Sequence, residues 1–419
     1  MPFLHERLAN GLDVVAEISP SAVSTSLGFF VRTGARDERD AEWGVSHFLE
    51  HMVFKGTADI LGDEINRRFD ALGAAANAFT SEEDTVYYAT VLPERQDEAL
   101  DLLARMMRPA LRAADFDTEK LVILEEIRMY DDQPPFGADD RCRAAFFGRH
   151  PLARSVLGTV ESIGALPVEA MRDYHRRRYA PGTLVLAAAG AVDFPALVAD
   201  ARRLCGDWEP QPPAPRPAPP PAAPACGDAL ERIVRPAAAL AYATRLSPGP
   251  TETGADRFAA KLLATVLGDG SGSRLYWELV DTGAAEQATL HHQEFLDAGL
   301  FVTQLSCDAA DAEDLLARIR DVYEATASAG IGAREFEQAR SKLAARVVLA
   351  GERPRRRLFE VGGEWAHAGV HRSVSESLAI VEGLTRDDLE AVLATWNLAG
   401  PAATVIAGPE ASADRGAGA

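Results

Sequence analysis

The sequence predicts an α+β chain made of two homologous domains, and three observations carry that reading. Strand-like and helix-like periodicities are mixed along both parts of the chain. A stretch rich in proline, "EPQPPAPRPAPPPAAPACGDA" at 209–229, divides the 419 residues into parts of similar length. Nine prolines there exclude a helix or a central strand and favour an extended connector. The third observation is an offset. Ile163 and Leu166 stand 218 residues before Val381 and Leu384, and Gly190 stands 218 before Gly408. An offset held from a helix into a strand points to duplication. The expected boundaries are 1–208 and 230–410 for the two α+β domains, 209–229 for the linker, and 411–419 for a disordered Gly/Ala tail.

The elements follow in order. "MPFLHERLANGLDVV" enters directly into strand-like sequence, and "LDVVAEI" and "STSLGFFVRTGARDE" continue it. In the second part "LERIVRPAAALAYATRL" plays the same role before "ADRFAAKLLATVLGDGSG", whose apolar spacing is helical. Each part closes with a turn, a helix and an apolar strand, ending at Gly190 and Gly408. A net charge of −20 disfavours nucleic acid and anionic membrane as partners. The basic run "RPRRR", Arg353 to Arg357, reads as a solvated helix face or a structural patch. The first residues have no basic segment followed by an apolar run, and no window has the length of a membrane span. Four cysteines lack CxxC spacing and read as reduced thiols of a cytoplasmic protein.

The chemistry concentrates in "GVSHFLEHMVFKGT", Gly44 to Thr57. On a helix His47 and His51 leave one face a turn apart, and Glu50 points the same way. Val45, Phe48, Leu49, Met52 and Val53 mark that helix as buried, so the polar trio needs a partner, and a divalent metal supplies one. His-x-x-Glu-His is the inverted zinc-peptidase pattern, with the glutamate as general base. A catalytic zinc takes three protein ligands and keeps one open position. The segment "TEKLVILEEIRMYDDQPP" supplies candidates for the third. Leu121, Leu124 and Ile127 give it an expected apolar face, and Pro134 stops it. Glu119 and Glu126, seven apart, share a face, while Glu125 is turned about 100° from Glu126 and reads as solvated.

"HFLEHMVFKGT", "GAAANAFTSEEDTVYY" and "EKLVILEEIRMY" together resemble the pitrilysin and mitochondrial processing peptidase family of zinc endopeptidases, in its shorter bacterial form. The likeness extends over nearly the whole chain. It implies mostly antiparallel sheets with flanking helices, arranged as half of a clam-shell chamber. It implies one zinc ion per chain held by His47, His51 and Glu126, with Glu50 as the base for the attacking water. Glu119 would hold a ligand histidine. Asn77, Ala78 and Phe79 would form an edge strand pairing with an extended peptide, Asn77 adding a side-chain contact and Phe79 walling a pocket.

Relatives supply an Arg and a Tyr seven residues apart as oxyanion donors from the second half. Here "GSGSRLYWELVDTGAAEQATL" places Val280 or Asp281 at the Arg position and Glu286 at the Tyr position. Arg274 reads as a structural arginine. The resemblance therefore implies the zinc-bearing subunit of a heterodimer whose partner chain carries the Arg/Tyr pair, with a homodimer as the competing arrangement. The alternative outside catalysis is a structural or peptide-binding subunit. His291 and His292 are adjacent and point to different faces, His175 lies on a helix that reads as solvated, and Tyr87 and Tyr88 read as strand packing.

Overall fold

The computed structural model describes residues 1–212 and 228–410. Most of the proline-rich linker, and the whole Gly/Ala tail, lie outside the described residues. Eleven strands form two sheets among the described residues. The first contains β1 (Phe3–Arg7), β2 (Asp13–Ile18), β3 (Thr25–Val31), β4 (Ala75–Thr80), β5 (Thr85–Val91) and β6 (Leu184–Gly190), in the order β1-β2-β6-β3-β5-β4. The second contains β7 (Ala229–Val234), β8 (Ala241–Pro248), β9 (Gln287–Glu294), β10 (Gly299–Cys307) and β11 (Ala403–Gly408), in the order β7-β11-β8-β10-β9.

The two sheets share one pairing scheme. β2 runs parallel to β6, and β7 runs parallel to β11, while every remaining neighbour is antiparallel. Gly190 closes the first parallel pair opposite Ile18, and Gly408 closes the second opposite Val234. The offset of 218 in the sequence thus coincides with equivalent strands.

The compact units do not follow the two parts of the chain strictly. One unit contains Met1–Arg128, the stretch beginning at Arg154, and Val347–Glu376; the other contains Met129–Ala153, the stretch up to Arg346, and Ser377 onward. Each part of the sequence gives one helix to the other unit. In the first unit, helix Pro354–Ala368 covers a sheet face through Leu358 and Val361, which pack on Val15, Phe30, Val86 and Val185. Gly362 allows the close approach, because a Cβ there would stand 2.3 Å from the Phe30 ring. In the second unit, helix Ala138–Phe147 packs Cys142 and Phe146 against Leu246, Leu300 and Val405. With helices on both faces, β3 and β6 are buried throughout, which is why they read as apolar runs rather than as alternating strands.

The basic run divides. Arg353, Arg355 and Arg356 are exposed, but Arg357 is buried and reaches Glu17 with Nε at 2.7 Å and Nη2 at 2.6 Å. His371 joins the same carboxylate at 2.8 Å. Burial pushes the Glu17 carboxyl up, but the hydrogen bonds and charges of Arg357 and His371 outweigh it and bring the group below its ordinary 4.5. Cys142, Cys205 and Cys307 are buried free thiols. Among the described residues no helix is long and apolar enough to cross a membrane.

Replacing Arg357 by Met leaves the buried Glu17 carboxylate with His371 alone and costs up to about 3–5 kcal/mol in urea unfolding. The double replacement Glu17→Met, Arg357→Met recovers most of that loss. A depressed carboxyl stabilises the fold above its unfolded value and loses that contribution as pH falls, so the Arg357→Met penalty shrinks below pH 4.5.

Candidate metal centre

The histidine helix, Val45–Val53, begins at Gly44 in the left-handed region (φ 90). A Cβ at Gly44 would meet Ile163 Cδ1 at 2.6 Å and Gly158 Cα at 2.9 Å. Glycine has no side chain to cap the helix, and Glu38 does so from outside. Its Oε2 accepts the Gly44 N–H and its Oε1 the Ser46 N–H, both at 2.7 Å. Burial pushes the Glu38 carboxyl up to about 8, while those N–H donors act in the opposite direction. The hydroxyls of Ser46 and Thr33 meet that of Tyr174 at 2.6 and 2.9 Å, fixing the first turn from a second side.

Opposite lies helix Ala113–Asp132, which begins five residues before the segment singled out in the sequence. Its buried stripe is Phe116, Glu119, Ile123 and Ile127. Of the expected face, Ile127 is buried and Leu124 packs against the core, while Leu121 is corrected, being 64% exposed. Phe116 stacks on Phe48 of the histidine helix, ring centroids 4.6 Å apart, and this contact brings the two helices together at the polar residues.

There His47 Nε2 stands 3.7 Å from Glu126 Oε1, and His51 Nε2 stands 3.6 Å from Glu126 Oε2. These separations are too long for hydrogen bonds. They are close to the roughly 3.4 Å between donors that share a tetrahedral ion about 2.0–2.2 Å from each. The ligand atoms of all three residues lie within 4.8 Å of one another. His51 Nδ1 is 2.9 Å from Glu119 Oε1, and Lys55 Nζ is 2.5 Å from Glu119 Oε2. Donation from Nδ1 to that carboxylate leaves the Nε2 lone pair of His51 directed at the cluster. Burial, and then the neighbouring His51, push His47 down to about 3, so its imidazole stays neutral over the working pH range. Two imidazole Nε2 donors and one carboxylate are a donor set that fits zinc.

Glu50 sits beside the cluster. Burial raises its carboxyl, a hydrogen bond from Thr80 and the charge of His51 lower it, and Glu126 raises it again, with a net upward shift. Thr80 Oγ1 donates to Glu50 Oε2 at 2.6 Å. On β4, an edge strand, Ala76, Ala78 and Thr80 are partly covered and alternate with exposed Asn77 and Phe79. Asn77 accepts the Ala78 N–H on Oδ1 at 2.9 Å, and Phe79 packs against Phe359 at 5.7 Å. The side chains of Asn77 and Phe79 thus leave the sheet on the face opposite that of Thr80. Glu125 is solvated and paired with Arg128.

The remaining candidates stand elsewhere. Arg274 is committed to Glu335, Thr326 Oγ1 and the Gly330 carbonyl. Val280 ends the helical turn Tyr276–Val280, Asp281 follows it, and Glu286 immediately precedes β9. His292 Nε2 bonds the Pro250 carbonyl at 2.8 Å, and His291 lies exposed on β9. His175, read as solvated, instead bonds the Met107 carbonyl at 3.0 Å, and burial pushes it down to about 4. Tyr87 is fully buried with its hydroxyl 3.0 Å from that of Tyr179. Sequence reasoning missed Glu38, Lys55 and Thr80. A helix starting on glycine signals that its cap is elsewhere, and the period of two along β4 separates Thr80 from Phe79.

Residues 13–160 match the family described as insulinase (peptidase family M16), and residues 165–343 match the peptidase M16 inactive domain. The chain is similar to an uncharacterized zinc protease of Mycobacterium tuberculosis, 35% identical over 395 residues, covering 92% of this chain and 88% of that protein. It is also similar to an uncharacterized zinc protease of Bacillus subtilis, 30% identical over 386 residues, covering 91% and 92%. Among solved structures, a protease from Helicobacter pylori shares the fold with a TM-score of 0.91 at 22% identity, covering 97% of this chain and 99% of that one.

Replacing Glu119 by Gln weakens zinc binding about 10–100-fold, measured by competition with a chromophoric chelator. Glu125→Gln leaves the affinity unchanged.

Proposed function

The chain belongs to peptidase family M16, and from that premise we propose that it is a zinc-dependent endopeptidase acting on peptides or unfolded segments. The observation that carries this is the convergence of His47 Nε2, His51 Nε2 and the Glu126 carboxylate beside a fourth polar group, Glu50. His47, His51 and Glu126 hold the ion. When bound, zinc polarises the scissile carbonyl and makes water a nucleophile near neutral pH. Glu50 accepts the proton of the attacking water and returns it to the leaving amine. Its raised affinity for protons suits both transfers. Glu119, itself neutralised by Lys55, holds the His51 ring in the required tautomer. The edge of β4 at Asn77, Ala78 and Phe79 takes up an extended peptide as an added strand, with Asn77 and Phe79 contacting substrate side chains.

The oxyanion donors come from a related chain carrying an Arg/Tyr pair, so this chain is the zinc-bearing subunit of a heterodimer that encloses its peptide in a chamber. Val280, Asp281 and Glu286 at the corresponding positions support this, because none of them donates a hydrogen bond to an oxyanion as Arg or Tyr does. The buried free thiols are consistent with a reducing, cytoplasmic setting. The lack of the Arg/Tyr pair also supports a second reading, a structural or peptide-binding subunit that does not cut.

Hydrolysis of a quenched fluorescent peptide library separates these. The zinc-loaded chain alone is expected to be slow, and addition of a chain bearing the Arg/Tyr pair raises the rate. Glu50→Gln removes about 10²–10⁴-fold of the activity of the mixture. Fast hydrolysis by the chain alone refutes the divided site, and a mixture without activity favours the binding subunit.

A further inference from the structure

We propose that Thr80 is a positioning residue for Glu50, and that it links the substrate-binding edge of the sheet to the base. The inference rests on Glu50 being that base. Among the described residues Thr80 is the one hydrogen-bond donor to the Glu50 side chain, and the 2.6 Å distance is that of a charge-assisted O–H···O⁻ bond. A threonine hydroxyl has one proton to give. Spending it on Oε2 fixes the carboxylate plane and leaves Oε1 to accept a proton.

The donor is itself held. Thr80 is the last residue of β4 and pairs with Thr85 of β5 across a tight turn. Ser81 closes that turn, its N–H donating to the Asp84 carbonyl at 2.7 Å and its hydroxyl accepting the Asp84 N–H at 3.0 Å. Thr85 Oγ1 donates to the Thr33 carbonyl at 3.0 Å. The branched Cβ of Thr80 limits χ1 to a few wells, so the hydroxyl direction follows the strand. β4 ends its sheet, and a peptide added to it would order the strand that carries the hydroxyl. Alternation along β4 gives the division of labour, since Asn77 and Phe79 lie on one face of the edge and Thr80, toward the base, lies on the other.

Thr80→Val keeps the shape and the strand preference and removes only the donor, while Thr80→Ser keeps the donor. With the zinc-loaded chain, and the Arg/Tyr-bearing partner where required, Thr80→Val is expected to lower kcat roughly 10–100-fold, with KM within about twofold and zinc content unchanged. Thr80→Ser is expected to stay within about threefold of the parent. A Thr80→Val variant with parental kcat, in an assay where Glu50→Gln is inactive, overturns the positioning role and leaves the base intact. Activity retained by Glu50→Gln overturns the base itself. Crystal structures of the zinc-loaded parent and of Thr80→Val give a readout that needs no turnover. One Glu50 rotamer in the parent and several in the variant is the expected result. The same single rotamer in both overturns the proposal.

Discussion

One buried polar face of a nine-residue helix is the constraint on which the rest of the site depends. His47 is almost wholly buried, Glu50 and His51 are partly so, and apart from Ser46 the rest of the helix that carries them is apolar. Polar groups taken from water in this way need partners close by. The fold supplies them from three directions. Helix Ala113–Asp132 brings Glu119 and Glu126, the edge strand brings Thr80, and Glu38 satisfies the N–H groups at the helix start. The apolar contact of Phe48 with Phe116 sets the distance between the two helices. Packing thus sets the spacing of the site.

The electrostatics of these partners divide by role. His51 is tied through Nδ1 to Glu119, whose second oxygen is neutralised by Lys55, so the pair carries little net charge into the interior. Among the described residues His47 Nδ1 is buried without a partner, and burial keeps that ring neutral. The Glu119 bond leaves the Nε2 lone pair of His51 free, which is the state a metal ligand needs. Away from the site, the buried Arg357–Glu17 pair fastens a helix from the later part of the sequence to the first sheet. Helix Ala138–Phe147 makes the reciprocal crossing in the other unit.

The α+β class and the duplication were legible because they depend on periodicity and on an offset of 218, both of which survive in one sequence. The juxtaposition of His47, Glu50 and His51 was legible because their spacing is local. Glu119 and Glu126 were narrowed by helical phase to one face, and it took the family resemblance to assign them separate roles. The apolar face of that helix was misread at one position, since Leu121 is exposed while Glu119 is buried. Burial there is decided by a polar partner, and hydropathy does not register one. Lys55, Thr80 and Glu38 act through tertiary contacts to residues 64, 30 and 6 positions away, and single-sequence patterns carry no such information. The helix exchange escaped for the same reason. The basic run at Arg353 to Arg357 left a solvated face and a structural patch both open, and the carboxylate that decides it for Arg357 is 340 residues earlier.

Two imidazoles and one carboxylate of this chain are proposed to hold a single zinc ion, and zinc K-edge X-ray absorption on the purified, zinc-loaded chain reads that shell. One zinc per chain with two imidazole nitrogens and the rest of the shell oxygen is the expected result. Sulfur in the first coordination shell, or an imidazole count other than two, would contradict it.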